Sequence, residues 1–279
     1  MAALGMAWNV SAQSWKDKVA SPISNPVFFE DPFIRTELEP VFLWTEIDGT
    51  LAPGVDVGGD VFLYAAQIRY AVNDRLAIIA TKDGYVDANP KLLAHQEGFA
   101  DLAAGIKYAL IDDEEKQLIV TPGFEFELPT GNEDVFQGNG MGEWDFFVSA
   151  AKGFDDFHAV ANVGLRIPNN FADETASAHY SLQLDYHAHQ YFIPFASLNA
   201  FTTLNSASHN GGLPIGLPFE GADLINFGSS QSAGETDVFI GGGFSSHITE
   251  KIAAGVAWET AVTESFFGQR VTVSVNVGF

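Results

Sequence analysis

The 279-residue sequence contains no cysteine, and only 13 lysines and arginines stand against 36 acidic residues. Without a thiol there is no disulfide, no thiolate metal site and no lipidation on an N-terminal cysteine. The formal charge of −23 repels the phosphates of nucleic acid, so no nucleic-acid partner is expected. Also lacking is an uninterrupted apolar run of the roughly 18 to 20 residues that a membrane-spanning helix needs. If this chain crosses a membrane, it must do so as strands of about 9 to 11 residues, with lipid-facing and lumen-facing positions alternating. Such alternation keeps mean hydropathy near neutral, and it is +0.07 here although 47% of the residues are hydrophobic. There is no phosphate-binding glycine loop and no recognisable cofactor motif, so no cofactor is expected.

What is present is alternation. The last ten residues, Arg270 to Phe279, read RVTVSVNVGF. Val271, Val273, Val275, Val277 and Phe279 fall on one face, and Arg270, Thr272, Ser274, Asn276 and Gly278 on the other, because a strand sends successive side chains to opposite sides. An alternating strand that stops on an aromatic residue resembles the pattern by which bacterial outer-membrane proteins are recognised by their assembly machinery. That machinery is therefore an expected partner.

Residues 1–12 read as the remainder of a signal peptide, with Gln13 as the mature start, or else as an ordinary N-terminus. Residues 13–34 hold Pro22, Pro26 and Pro32 with no sustained period, which predicts an irregular arm. Phe28, Phe29 and Phe33 need burial, either against the periplasmic rim, the expectation here, or as a plug inside a barrel mouth.

From there, strands are predicted at 35–47, 61–72, 75–86, 100–111, 117–128, 143–154, 157–168, 177–188, 191–204, 235–247, 251–263 and 270–279. Tight polar turns such as Asn73-Asp74 and Asp155-Asp156 follow the even strands, and long loops, 48–60, 87–99, 129–142 and 205–234, follow most of the odd ones. Short turns on one side and long loops on the other predict an all-β fold: a single closed antiparallel transmembrane β-barrel of about 12 strands over 35–279, in the bacterial outer membrane. Lipid and lipopolysaccharide are its expected surroundings.

The facing follows strand by strand. In 157–168, Ala159, Ala161, Val163, Leu165 and Ile167 oppose His158, Asn162, Gly164 and Arg166. The polar set is assigned to the lumen, with Glu37, Glu39, Arg69, Lys107, Glu125, Glu127, Asn162, Arg166, Asp185, Glu259 and Arg270 as pore-lining residues. Trp44, Tyr70, Tyr108, Trp144, Tyr180 and Tyr186 suit two interfacial girdles. Pro122 costs one ladder bond and predicts a bulge or kink. Inward Ala103, Gly105, Gly123, Gly164, Gly241, Gly243 and Gly255 leave room for a narrow hydrated path, or else relieve bending strain. Inward acids outnumber bases, which predicts a mixed-charge lumen with a weak cation preference. In loop 205–234 the apolar stretches Leu213 to Phe219 and Leu224 to Phe227 could fold into the mouth as a gate, pack on a neighbouring copy in a homo-oligomer, or stay mobile.

Gly105 to Leu110 (GIKYAL) and Phe126 to Asn132 (FELPTGN), with the alternating last strand, resemble the outer-membrane family labelled meta-pathway phenol-degradation proteins, over roughly residues 60 to 279. The resemblance implies an uptake channel for small solutes, aromatic or modestly apolar, and carries over no binding residue. A structural or adhesive barrel with a plugged lumen is the alternative. His179, Ser181 and Asn162 resemble the constellation of outer-membrane phospholipase A, but there the site faces lipid, and here the opposite face carries Tyr180, Leu182, Leu184 and Tyr186; no enzyme is predicted. Asp185, His187 and His189 are weighed as metal ligands and set aside, since His189 falls in a turn.

Overall fold

The structure is a computed structural model, and it describes residues 14–52, 54–208 and 216–279. The expected signal-peptide remnant at 1–12 and residues Leu213 to Ile215 of the apolar loop stretch lie outside the described residues.

Twelve antiparallel strands close into one barrel. They are β1 Glu37–Ile47, β2 Gly59–Ala71, β3 in two pieces (Leu76–Lys82 and Tyr85–Pro90), and β4 in three (Gln96–Phe99, Leu102–Tyr108 and Ile111–Asp113). There follow β5 Leu118–Leu128, β6 Glu143–Phe154, β7 Phe157–Pro168, β8 Ser177–Tyr186, β9 Ile193–Thr203, β10 Thr236–His247, β11 Ile252–Ala261 and β12 Phe267–Gly278. Each strand pairs with the next, and β12 returns to β1 with Glu37 opposite Gly278 and Val41 opposite Ser274. Closure gives every strand two neighbours and leaves no long edge to pair with another chain.

The greasy and polar faces segregate as the alternation requires. Along β7, Phe157, Val163 and Leu165 are exposed while His158, Val160, Asn162 and Arg166 are buried. On the outside Phe124, Phe126, Trp144 and Phe146 form a contiguous aromatic patch, with Phe126 and Trp144 ring centroids 4.7 Å apart. Tyr70, Tyr108, Tyr180 and Tyr186 also stand on the outer surface. Lipid, not water, is the solvent that makes such a surface stable.

Two strands differ from the expectation of single runs at 75–86 and 100–111. Strand β3 breaks at Asp83 and Gly84, and β4 breaks beside it at Ala100 and Asp101; both continue as strand into the stretch 87–99 expected to be loop. Gly84 sits at φ +117°, where side chains are rarely tolerated. Carboxylates take over backbone duties at the gap: Ala66 N donates to Asp83 Oδ1 at 2.9 Å, and Gly131 N donates to Asp101 Oδ1 at 2.7 Å. The Leu128-Pro129-Thr130-Gly131 run thus leaves β5 to cap the broken β4, and Thr130 Oγ1 also accepts from Leu102 N at 3.2 Å.

The bulge expected at Pro122 falls on its partner strand. Gly123 is opposite Lys107 but Val120 is opposite Ile111, so three residues of β4 face two of β5. The β6 side of Pro122 keeps a regular register, with Pro122 opposite Val148. A residue without an N–H is accommodated where the ladder is already irregular.

Candidate functional site: a lumen filled from both ends

The N-terminal arm runs inside the barrel, not along its rim, which corrects the expectation of rim packing. It starts with a 3-10 turn, Trp15–Lys18, capped by Ser14 and Asp17. Lys16 reaches Asp112 at 2.5 Å and Lys18 reaches Asp156 at 2.7 Å, clamping the arm across turns at the short-turn end. The chain then climbs the lumen, turns at Asn25 (φ 49°), and descends to enter β1.

Wall side chains donate to the oxygens of the arm at every level. Gln183 Nε2 donates to Ala20 O at 2.8 Å, Gln67 Nε2 to Pro26 O at 2.5 Å, Ser149 Oγ to Glu30 O at 2.6 Å, and Thr121 Oγ1 to Pro32 O at 2.7 Å. A proline-rich segment without secondary structure survives burial only if its carbonyls are satisfied this way. Its apolar side chains fill the gaps between: Phe28 stacks on His179 at 4.8 Å, and Trp15, Phe29 and Phe33 pack with Ala109, Ile119, Ala151 and Val160 of the wall.

The charged heart of the site is built around Glu30. Arg69 donates to it from Nε at 2.9 Å and Nη2 at 2.7 Å, and Lys107 Nζ donates to it at 2.5 Å. Arg69 also meets wall carboxylates, Glu39 at 2.8 Å and Glu37 at 3.4 Å. Lys107 is completed by the side chain and the carbonyl of Asp31. Charges this deep are tolerated only when matched, since breaking such a pair costs roughly 3–5 kcal/mol.

From the opposite end, the long loop between β9 and β10 folds into the mouth. Asp223 binds Arg270, Asn226 Nδ2 donates to Glu143 Oε2 at 2.8 Å, and Gln137 Nε2 donates to Leu224 O at 2.9 Å. Glu220 accepts from Phe227 N and Ser229 N at 2.8 and 2.7 Å, which gives the loop its own internal frame. Val27 and Phe28 of the arm join Leu217, Leu224, Ile225 and Phe227 of the loop in one apolar cluster, so the two plugs meet. The described part of the apolar stretch is a stopper seated in its own barrel.

All eleven residues assigned to the lumen are buried toward it. Arg69, Lys107, Glu37 and Glu39 come together around the arm. Glu127 meets Lys82 at 2.5 Å and lies 4.0 Å from Arg166, which pairs with Glu143. Glu125 accepts from Thr81 at 2.7 Å, Asn162 donates to Ser149, Asp185 pairs with His158, and Glu259 accepts from Asn199 at 2.7 Å. Sequence reasoning missed Lys82, Glu143, Asp145 and Asp223. Glu143 and Asp145 could have been found by counting in twos around Trp144, but Lys82 breaks the period of its strand, where Thr81 beside it is also buried and the register shifts after Ile79, and Asp223 carries no such signal.

The space at the inward glycines is filled by their neighbours. A methyl group on Gly164 would lie 2.2 Å from His179 Nε2, one on Gly123 2.4 Å from Phe147, and one on Gly255 2.2 Å from Ile23 of the arm. The room is already taken. Small cavities persist among the described residues, one of ≈ 30 Å³ beside the β3 break touched by Val27, Val41, Leu63, Val86, Ala100 and Leu224, enough for a water or two, and one of ≈ 10 Å³ among Phe28, Ala103, Glu125 and Arg166.

The phospholipase-like residues are neighbours on the inner wall, with Asn162 opposite Ser181, but each is engaged elsewhere. Ser181 Oγ accepts from Asn25 of the arm at 2.9 Å, Asn162 serves Ser149 and Glu30, and His179 Nε2 lies 2.8 Å from Asp145. Asp185 is taken by His158 at 2.6 Å, away from the weighed partner His189, whose ring lies 5.3 Å from that of Tyr191.

A closed antiparallel cylinder, greasy outside and polar within, defines an outer-membrane β-barrel, with its long loops outside the cell and its short turns in the periplasm. Solved structures share this fold. An outer-membrane channel from Pseudomonas putida F1 is 14% identical with a TM-score of 0.61, covering 90% of this chain and 98% of that one. The NanC porin is 8% identical with a TM-score of 0.55, covering 88% and 100%, and the KdgM porin, solved in complex with disordered oligogalacturonate, is 10% identical with a TM-score of 0.50, covering 87% and 99%. No family model and no curated protein sequence matches the chain.

Proposed function

We propose that this protein is an outer-membrane channel for passive passage of small solutes, and that its resting lumen is stoppered by the arm and by the loop between β9 and β10. The reading rests on one observation above all. The inner wall behind both plugs is lined with buried polar and charged side chains, among them Ser149, Asn162, Gln183, Asn199, Glu259 and Thr272. A wall that served only to seal would be apolar, because a polar group kept dry must find a partner or cost about 1–3 kcal/mol. A wall that is wetted when the plugs withdraw has a use for them.

The apolar cluster where arm and loop meet favours solutes of modest polarity, the class implied by the resemblance to meta-pathway phenol-degradation proteins. Swelling of liposomes containing the refolded full chain tests the reading. Small neutral and aromatic solutes should enter faster than into protein-free liposomes, with the rate falling as solute size rises. A barrel that admits none of them, even when its ion pairs are neutralised, is the permanently plugged structural protein instead.

A further inference from the structure

Among the described residues, Lys107 is the wall cation whose hydrogen-bond and ion-pair partners all belong to the arm. It is fully buried, and its contacts are Glu30 Oε1 at 2.5 Å, Asp31 O at 2.8 Å and Asp31 Oδ1 at 3.0 Å. The other wall cations differ: Arg69 has Glu37 and Glu39, Lys82 has Glu127, Arg166 has Glu143, and Arg270 lies at the loop plug. A buried ammonium with no wall carboxylate in ion-pair reach needs its counter-charge from whatever fills the lumen. When the arm leaves, an anion is the occupant that restores this counter-charge.

The shape of the occupant is visible in the arm itself. Phe29, Glu30, Asp31, Pro32 and Phe33 present two adjacent carboxylates flanked by two rings. The carboxylates lie on Lys107 and Arg69, and the rings lie on Ala109, Ile119, Ala151 and Val160 of the same wall. Donors and an apolar seat are thus side by side on rigid strands.

We propose that this stretch of wall is a binding site for ring-bearing carboxylates, and that the arm occupies it as a tethered imitation of that ligand. A solute carrying the same groups competes with Glu30 and Asp31 and releases the arm. The inference builds on the channel reading and names the class of solute that opens it. Arg69 serves as a second donor, its charge already shared with Glu37 and Glu39, so Lys107 sets the preference for an anion.

The absence of native cysteine makes a direct test available. Ser24 lies in the arm and is fully buried, so the thiol of Ser24→Cys in the refolded full chain should react slowly with a polar maleimide. Phthalate should speed labelling at least tenfold and saturably, at lower concentration than succinate, while phthalamide and chloride at matched ionic strength should not. Glu30→Gln should raise the basal rate and lower the phthalate concentration that half-saturates it; Lys107→Gln should raise the basal rate and abolish the response. Acceleration by chloride equal to that by phthalate, or a response retained in Lys107→Gln, overturns the proposal. So does a half-saturating concentration that Glu30→Gln leaves unchanged, which keeps the test decisive if Lys107→Gln does not fold. Equal potency of succinate and phthalate removes the ring from the ligand class and overturns the proposal as stated. A labelling response in a barrel that passes no solute keeps this site and ends the channel reading, whereas solute flux without a labelling response does the reverse.

Discussion

Arg270, near the start of the last strand, grips Asp223 of the long loop with two parallel hydrogen bonds, Nη2 to Oδ1 at 2.7 Å and Nη1 to Oδ2 at 2.9 Å. The paired geometry fixes direction as well as distance, and both side chains are buried. Among the described residues, this fork is the charged latch of a loop whose other ties, through Asn226 and Leu224, use neutral donors.

Replacing Asp223 by Asn should loosen that latch. With Arg270 left buried beside a neutral partner, docking of the loop should weaken by about 3 kcal/mol, roughly a hundredfold in its open population. Limited proteolysis within 205–234 should accelerate accordingly while the heat stability of the barrel on gels is kept. Unchanged cleavage would mean that the latch does not hold the loop.

Phe28 of the arm is stacked on His179 and lies 5.4 Å from the Arg166 guanidinium. Phe28→Ala should weaken arm docking by about 3 kcal/mol, the usual loss for a buried ring. Hydrogen exchange at the arm amides should speed up with that variant and exchange in β7 and β8 should not. Equal acceleration in arm and strands would show that the ring supports the barrel rather than the plug.

Gly255 faces Ile23 so closely that a methyl group would sit 2.2 Å from its Cδ1. The obstructing atom belongs to the arm. Gly255→Val should therefore displace the arm and spare the barrel, seen as exposure of a thiol at position 24 with normal folding yield. Loss of folding with no exposure would place the strain in the strands.

Loop and arm should respond to pH in opposite senses. Burial, with Glu143 close by, pushes up to about 9 the carboxyl of Glu174, which lies in the β7–β8 connection against Gly228 of the plug loop, and burial raises Glu220 of that loop as well. An acid whose folded value is raised from 4.5 stabilises the docked loop fully at low pH, and that contribution drains away as pH rises from 4.5 toward 9. Burial alone would raise Asp31, but Lys107, Arg35 and Arg69 outweigh it and bring the group down to about 2. Its contribution to arm docking is present above 3.8 and is lost as pH falls toward 2. Amide exchange, corrected for intrinsic rates, should show the loop more protected at pH 5.5 than at 8.5 and the arm equally protected at both. A loop that gains protection on the alkaline side contradicts this.

Much of the architecture is legible in the chain. Strands β6 and β7 begin and end where alternation places them, at 143–154 and 157–168, because each face meets a single solvent. The inward side of Arg69, Lys107 and Glu259 follows from the same period of two. The partners do not: Lys107 meets Glu30 across 77 residues, and nothing local announces it. The breaks at Asp83 and Asp101 are hidden because carboxylates there do the work of backbone groups. The depth of the arm is hidden too, since a segment without period gives no face to follow, and its carbonyls are satisfied only by a wall that folds around them.

The stoppered lumen is tested most directly by single-channel recording of the refolded full chain beside its Glu30→Gln, Asp223→Asn double variant in a planar bilayer. The parent should rest closed with rare brief openings, and the double variant should stay open far longer at the same polarity of voltage. A parent that conducts steadily at the variant's level, or a variant as silent as the parent, contradicts the account.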